Sequence, residues 1–434
     1  MRIHIYFNDQ INVFEQQQKL IFHVGKFYKC SLDKIELESV LERAFRGNVV
    51  VQAVNKDRKG FSLEVNVAQE RSIEKDIIEK RVVESLYDAI YNNLLNLFTQ
   101  RRVYFISQKT GFSLLGTHYF GIIDRGTNLL QIRPVTGCPL NCIYCSVDEG
   151  KISKTRLIDY MVEERFLVEE TKRLIEDKKD SDIEAHIDGE GEPLIYPFIL
   201  DLIRDLKNCN QVSVVSLQSN GVILTYKFVD SLIKAGLDRI NVSINSIDKN
   251  IGERMAGVKG YDPMRILDII KYANNQGLSV LIAPVWIHGL NDKEIEKLIQ
   301  FVKKNKIENK KGWPVLGIQN YEVYKYGRKV KNFKFKPFSY FYKQLKSLEK
   351  RFEIKPLILS KHHFNIHKSP APPKVFKKEE IVTAKVVLPG RKKNEIIGFA
   401  RGRLIEISGV YKVKKHIKVK IISVKDTINK GVAI

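Results

Sequence analysis

Between residues 130 and 350, short apolar runs rich in β-branched residues alternate with longer stretches of helical period. The runs Leu129 to Pro134, Ile183 to Asp188, Val212 to Leu217, Arg239 to Ile244, Ser279 to Trp286 and Val315 to Tyr321 predict six strands. The segments LIDYMVEERFLVEETKRLIED, PFILDLIRDLKN, YKFVDSLIKAG, PMRILDIIKYANNQG and NDKEIEKLIQFVKKN predict helices between them. Several end in Gly or begin with Asn or Asp where an N-cap belongs. Repeated βα units imply a parallel sheet. Six units fall short of the eight of a closed barrel, so the expected architecture is an open, partial (β/α)6 barrel with its site at the C-terminal strand ends.

The flanks break this rhythm. Residues 1–120 carry the strand patterns GNVVVQAV and FSLEVNVA and a helical pattern from Ile73 to about Phe98, which predict a small α+β domain without evident chemistry. Residues 101 to 128 look like extended chain and turns. Pro370, Pro372 and Pro373 make a stiff linker composition within 361–378. Residues 379–434 alternate apolar and polar positions with Gly at turns, the pattern of a small antiparallel OB-like β-barrel. Residues 121–360 are left for the partial barrel, and the fold class is α/β with two flanking modules.

The net charge of +23 is unevenly placed. Residues 320 to 434 hold 29 Lys and Arg against 8 Asp and Glu, whereas residues 1 to 319 hold 44 against 42. A localised basic block is the footprint expected for a polyanion such as RNA, the alternative being a Lys-rich solvated surface. No apolar run is long enough to span a membrane and the start lacks a signal-peptide layout, so a cytoplasmic protein is expected. Cys30 and Cys209 are far apart and suggest no disulfide framework.

The other three cysteines, Cys138, Cys142 and Cys145, fall within eight positions in CPLNCIYC. Three thiolates can ligate three irons of a four-iron, four-sulfur cluster and leave the fourth open to a small molecule. A structural zinc site completed by a distant His is the other reading, but no second Cys pair exists. The C-x3-C-x2-C spacing after a first barrel strand, with Tyr144 before the last Cys, resembles the radical S-adenosylmethionine (radical SAM) superfamily. That resemblance implies a [4Fe-4S] cluster and S-adenosylmethionine (SAM) as cofactors. The reduced cluster would split SAM into methionine and a 5′-deoxyadenosyl radical, which takes a hydrogen from the substrate.

Further segments are similar to those of the superfamily. DGEGEP resembles its Gly-Gly-Glu-Pro segment through Gly191, Glu192 and Pro193, with Glu190 where the first Gly is usual. The resemblance implies that this segment meets the methionyl amino group. LQSNG implies a ribose or methionyl contact by Gln218 and Ser219, while Asn220 and Gly221 suit a turn. In NVSINS, Ser243 is the candidate for ribose or carboxylate contact and Asn245 stands where Asp is common. Arg254 lies where superfamily members place an Arg for the methionyl carboxylate, and is otherwise a surface Arg. Val285, Trp286 and Ile287 are apolar candidates for the adenine side, with Trp286 equally suited to the core.

The terminal strands, with GFARGRL and YKVKKHIKVKI, resemble the TRAM domain, an OB-like RNA-binding module. Phe399 and Tyr411 suit either base stacking or the barrel core, and residues 321–343 interleave aromatics with Lys and Arg as single-strand RNA binders do. The same stretch also reads as a sixth strand and a helix burying Phe338, Phe341 and Tyr342. Domain order resembles tRNA methylthiotransferases, yet residues 1–130 contain only Cys30, so a second, sacrificial cluster is not expected. The layout is similar to uncharacterised archaeal radical SAM proteins. The leading expectation is RNA modification, tRNA foremost, with ferredoxin or flavodoxin as reductant. A peptide or small-metabolite substrate, and a non-catalytic RNA-binding metalloprotein, are the alternatives. His362, His363 and His367 suit phosphate contact or solvation more than a metal. Asp124, Arg125, Asp148 and Glu149 are candidates for substrate contact, and no catalytic residue beyond the cofactor ligands is assigned.

Overall fold

The computed structural model describes residues 2–7, 10–17, 19–45, 49–57, 60–67 and 75–434. At its centre is a six-stranded sheet running in space from Gly121–Asp124 through Leu129–Arg133, Ile183–Ile187, Val212–Ser219 and Arg239–Val242 to Ser279–Ile282. All neighbours are parallel except the first pair, a hairpin. The edge strand Gly121–Asp124 falls where the sequence pattern gives only extended lead-in. Its hairpin exists because the Asp124 carboxylate accepts the Gly126 N–H (2.8 Å), and Gly126 takes a positive φ of 72°.

The partial barrel that the periodicity predicts is present, with two changes. Its fifth strand stops at Ile282 and resumes at Val285–Trp286, because Pro284 has no N–H for the ladder. The sixth survives only in pieces: Leu316 bridges to Ile282, and Gln319–Asn320 pairs with Val285–Trp286. The helical pattern beginning at Leu157 also splits. Asp159–Val162, buried throughout, forms a strand parallel to Val103–Ile106, and the helix is Glu164–Lys178. Burial on both sides suits extended chain better than a one-faced helix there. The helices Ile199–Lys207, Tyr226–Ala235, Pro263–Asn275 and Asp292–Lys304 follow prediction, and Lys249–Ala256 is an additional one.

The N-terminal part is α+β as expected. Two antiparallel sheets, one of three strands and one of four, pack with the helices Lys34–Phe45 and Lys75–Tyr91. Of the predicted elements there, Gly47, Asn48, Ala68, Ile73 and Glu74 lie outside the described residues. Its buried Leu20, Phe22 and Leu86 belong to the same continuous core as Ile132, Ile187 and Leu217 of the central sheet.

The chain ends in a closed five-stranded barrel, Ile381–Pro389, Glu395–Ala400, Arg403–Ser408, His416–Lys425 and Ile428–Ala433. The order around it is first, second, third, fifth, fourth, with only the third and fifth parallel. Val382, Ala384, Ile405, Ile407, Val419 and Ile421 fill it. Phe399 faces the main domain against Phe112, and Tyr411 is 88% exposed on a basic loop. The Pro-rich stretch before the barrel lies against the central domain, where Asn128 N–H donates to His367 O (3.1 Å) and Ser369 N–H to Gly126 O (3.1 Å).

The barrel is joined to the body by backbone. Leu404 N–H donates to Leu115 O (2.8 Å) and Asn429 N–H to Gly116 O (2.9 Å). Gly116 has φ 133°, and a Cβ on it would stand 2.1 Å from Leu404 O, so only glycine allows this approach. No described helix is long and apolar enough to cross a membrane.

Candidate active site

A cavity of about 820 Å³ opens at the C-terminal ends of the parallel strands. The cysteine loop that follows the strand Leu129–Arg133 forms one wall. Cys138, Cys142 and Cys145 all line the cavity, and so do Tyr144, Gly191, Glu192, Gln218, Ser219, Ser243 and Val285. Residues from five separate segments, proposed from local motifs, thus meet in one place.

Burial and the neighbouring thiols push the Cys138 proton affinity well up and that of Cys142 up to about 12. Cys145 is raised by burial too. As free thiols they keep their protons, which a metal must displace. Two N–H groups are aimed at the sulfurs: Glu149 N–H to Cys145 Sγ (3.2 Å) and Asn220 Nδ2 to Cys138 Sγ (3.5 Å). Among the described residues no three Cys, His, Asp or Glu side chains are arranged to hold a single metal ion. Three thiolates from one loop leave a tetrahedral zinc site one protein ligand short, whereas each can serve a separate iron of a four-iron cluster.

The loop is held open by backbone contacts. Asn141 N–H donates to Ala256 O (2.9 Å) and Ile143 N–H to Met255 O (3.1 Å), at the end of the helix Lys249–Ala256. Arg328 N–H donates to Cys145 O (2.8 Å), while its guanidinium reaches Asp148 Oδ1 (2.8 Å), Cys142 O (3.0 Å) and Glu149 O. Gly327 permits this, since a Cβ there would lie 2.7 Å from Ser146 O. From sequence, Arg328 is only one basic residue of an aromatic-basic stretch. Gly beside Arg was the available signal.

Glu192 is 1% exposed, and both carboxylate oxygens are engaged: Oε1 by Leu194 N–H (3.0 Å) and Ser219 Oγ (2.9 Å), Oε2 by Asn220 N–H (2.7 Å). Burial nevertheless raises its pKa to about 7. The side chain ties the second strand's end to the third's. Pro193 starts a 3₁₀ turn behind the cavity wall and does not line it.

Gln218 Nε2 donates to Ser243 Oγ (3.0 Å), so two of the predicted contacts are bonded to each other. Asn245 Nδ2 donates to the Tyr144 hydroxyl (2.6 Å), and its Oδ1 accepts Val285 N–H (2.7 Å). Asn245 thereby fixes the cysteine-loop tyrosine against the broken fifth strand. Trp286 is buried with its Nε1 on Asp292 (2.7 Å), and Ile287 packs with Met255, Tyr321 and Val330 behind the cavity.

Arg254 is not brought to the site. It is exposed, its guanidinium stands 6.0 Å from the Phe333 ring, and its neighbours Met255 and Ala256 line the cavity instead. Helical phase decides this, because successive residues are about 100° apart around the axis. Of the weaker candidates, Asp124 is buried on Lys178 (2.8 Å) and Arg125 pairs with Asp426 (2.7 Å). Asp148 binds its own loop, and only Glu149 reaches the cavity wall. His363 bonds Ser360 and His367 bonds Asp180, both at the surface.

The cavity is also lined by Tyr324, Phe338, Phe341, Tyr342 and Leu345. Phe341 is buried, whereas Tyr324, Phe338 and Tyr342 remain exposed at the rim. The strand-and-helix reading of residues 321–343 is met in part, since Gln319–Asn320 is a short strand and the helix Phe338–Phe352 exists but buries only Phe341 of the three aromatics.

The model of the radical SAM superfamily matches residues 132–302. The chain is 37% identical over 390 residues to an uncharacterized protein, MJ0103, of Methanocaldococcus jannaschii, covering 85% of this chain and 88% of that one. It is 34% identical over 183 residues to a GTP 3′,8-cyclase of Thermodesulfovibrio yellowstonii, covering 42% of this chain and about half (54%) of the cyclase. Among solved structures, Streptococcus suis SuiB bound to S-adenosylmethionine matches with a TM-score of 0.38 and 17% identity, over 80% of this chain and 70% of SuiB. With three cysteines and the strand ends in one cavity, and a relative matched over most of its length, the chain belongs to the radical SAM superfamily, whose cofactors are a [4Fe-4S] cluster and S-adenosylmethionine.

Proposed function

We propose that the protein is a radical SAM enzyme that modifies RNA, with tRNA the first candidate, in a reducing cytoplasmic setting. The observation that carries this reading is where the basic barrel meets the cavity rim. Lys392 Nζ, on the barrel's first loop, stands 4.4 Å from the Tyr326 ring, two residues along from Tyr324 of the cavity. In this reading the positive charge concentrated in residues 320–434 and the exposed rings near the cavity draw a polyanion toward the radical site. Lysines neutralise phosphates and exposed rings stack unpaired bases, each stack contributing about 1–3 kcal/mol. Tyr411, with Lys412, Lys414 and Lys415, extends the same chemistry on a TRAM-like barrel.

When bound, the reduced cluster and SAM supply a 5′-deoxyadenosyl radical. Cys138, Cys142 and Cys145 hold the cluster. In this reading Gly191 and the strand end secured by Glu192 and Pro193 meet the methionyl group, Ser219, Gln218 and Ser243 its polar or ribose atoms, and Tyr144 and Val285 the apolar side. Tyr324, Phe338 and Tyr342 stack the target base over the cavity and exclude water from the abstraction.

Nucleoside mass spectrometry of tRNA and rRNA from a deletion strain tests the reading. Loss of one modified nucleoside, restored by the wild-type gene but not by a Cys142→Ala copy, is expected. An unchanged nucleoside profile overturns it in favour of a peptide or small-metabolite substrate.

A further inference from the structure

The superfamily's reaction consumes an electron from outside the chain, and the cavity side of the cysteine loop is taken up by SAM and substrate. We propose that residues 150–157, on the outer side of that loop, are the docking surface for an acidic one-electron carrier protein. None of these residues lines the cavity. Ile152 is 61% and Leu157 57% exposed, flanked by exposed Lys151 and Lys154. Exposed Lys393 follows Arg391 and Lys392 on the barrel loop, and Leu157 N–H donates to Arg391 O (2.9 Å), so the barrel lysine borders the same patch.

Loops that expose two large apolar side chains are usually pliable, but this one is fixed. Asp148 Oδ2 accepts Lys154 N–H (3.0 Å), Thr155 N–H (3.1 Å), Ser153 Oγ (3.1 Å) and Thr155 Oγ (2.8 Å). Ile152 N–H donates to Asn141 Oδ1 (3.2 Å), and Arg101 Nη2 donates to Gly150 O (2.5 Å). The nearby acids, Asp148 and Glu149, are buried and paired with Arg328, Arg101 and Arg391, so the outward charge is positive. An apolar centre with a one-sign charged border is the surface of a transient, electrostatically steered contact.

The patch is also wired to the cluster site. Glu149 N–H donates to Cys145 Sγ, and residue 150 is the next along the chain. With the cluster held by Cys138, Cys142 and Cys145, this short bonded route would carry one electron inward from the carrier, which would be oxidised by one electron with no proton or group moved. This inference is independent of the RNA reading.

The test uses the reconstituted holoenzyme. SAM cleavage is driven either by a reduced acidic ferredoxin or by dithionite, and affinity is read from the anisotropy of labelled ferredoxin. K151E/K154E and I152S/L157S are each expected to lower ferredoxin-driven cleavage and ferredoxin affinity about tenfold or more, with dithionite-driven cleavage within about twofold of wild type. The wild-type ferredoxin-driven rate should fall as salt rises. Unchanged ferredoxin affinity in both variants would overturn the assignment. So would equal losses with both reductants, which would mark the loop as structural, or a loss of tRNA binding with ferredoxin affinity intact, which would give the patch to RNA.

Discussion

Arg391 Nη1, on the terminal barrel, lies 3.0 Å from Glu190 Oε2, just past the end of the strand Ile183–Ile187 of the central sheet. The same guanidinium contacts Asp159 Oδ1 (2.8 Å), Glu149 Oε1 and Ile158 O (3.1 Å), and it is wholly buried. Glu190 is the residue that departs from the superfamily's Gly-Gly-Glu-Pro pattern. Its partners, His118 (2.9 Å), Arg156 (3.2 Å) and Arg391, explain the departure as an anchor for the barrel beside the cluster loop.

Arg391→Ala removes a shared cation from three buried carboxylates at once, leaving Glu149 and Asp159 to Arg101 and Glu190 to His118 and Arg156. Breaking a buried pair from one side costs about 3–5 kcal/mol, so urea unfolding should show a loss of that size. Adding Glu190→Gly should make the double variant less destabilised than the two single losses combined, because the pair acts through one contact. Strict additivity would refute the anchor. Deleting residues 379–434 removes the same partner, so poor solubility is expected from the truncated chain. Charge reversal at surface lysines is therefore the better probe of RNA binding.

The cluster around His118 makes stability depend on pH in opposite directions. Burial favours the neutral carboxyl, but His118 and its neighbours outweigh it, lowering Glu190 strongly and Glu406 to about 2. Their contribution is present above the ordinary carboxylate range and is lost as pH falls toward about 2. For His118, burial lowers the pKa, but Glu406 and Glu190 outweigh it and leave it raised. That contribution is full below the ordinary His value and is lost as pH rises through the raised one. His118→Gln should flatten the alkaline limb in a series of melting temperatures.

Asn220→Ala removes the side-chain N–H on Cys138 Sγ while sparing the backbone N–H on Glu192. Hydrogen bonds to cluster sulfur raise the potential, so an EPR-monitored titration should find a more negative midpoint with iron content unchanged. SAM cleavage should fall about tenfold, within the range for partners of metal ligands.

Glu192→Gln turns one acceptor into a donor facing the N–H of Leu194 or Asn220. Leaving a buried donor unpaired costs about 1–3 kcal/mol, to be seen in unfolding of the apoprotein. Because burial holds Glu192 near 7, above the usual carboxyl value, its ionisation disfavours the fold as pH rises from about 4.5 to 7.

Arg254→Ala should leave the KM for SAM within about twofold of wild type, as expected of a surface arginine outside the cavity. A tenfold rise would show that the helix Lys249–Ala256 rotates Arg254 inward on binding SAM.

The βα rhythm, the cysteine loop and the small barrel were legible because each is written in local period and spacing. Strand Ile183–Ile187 and helix Asp292–Lys304 carry their own pattern, and C-x3-C-x2-C is a contact set contained in eight residues. Local spacing also brought Gln218 and Ser243 to adjacent strand ends. It could not tell that Asp159–Val162 is a strand, since its partner Val103–Ile106 lies more than fifty residues away. Nor could it assign Arg328 to the cysteine loop or Arg391 to Glu190, pairs separated by about 180 and 200 residues. Only the tertiary structure decided those, because a buried charge selects whichever opposite charge the packed fold brings to it, and chain spacing carries no record of that choice.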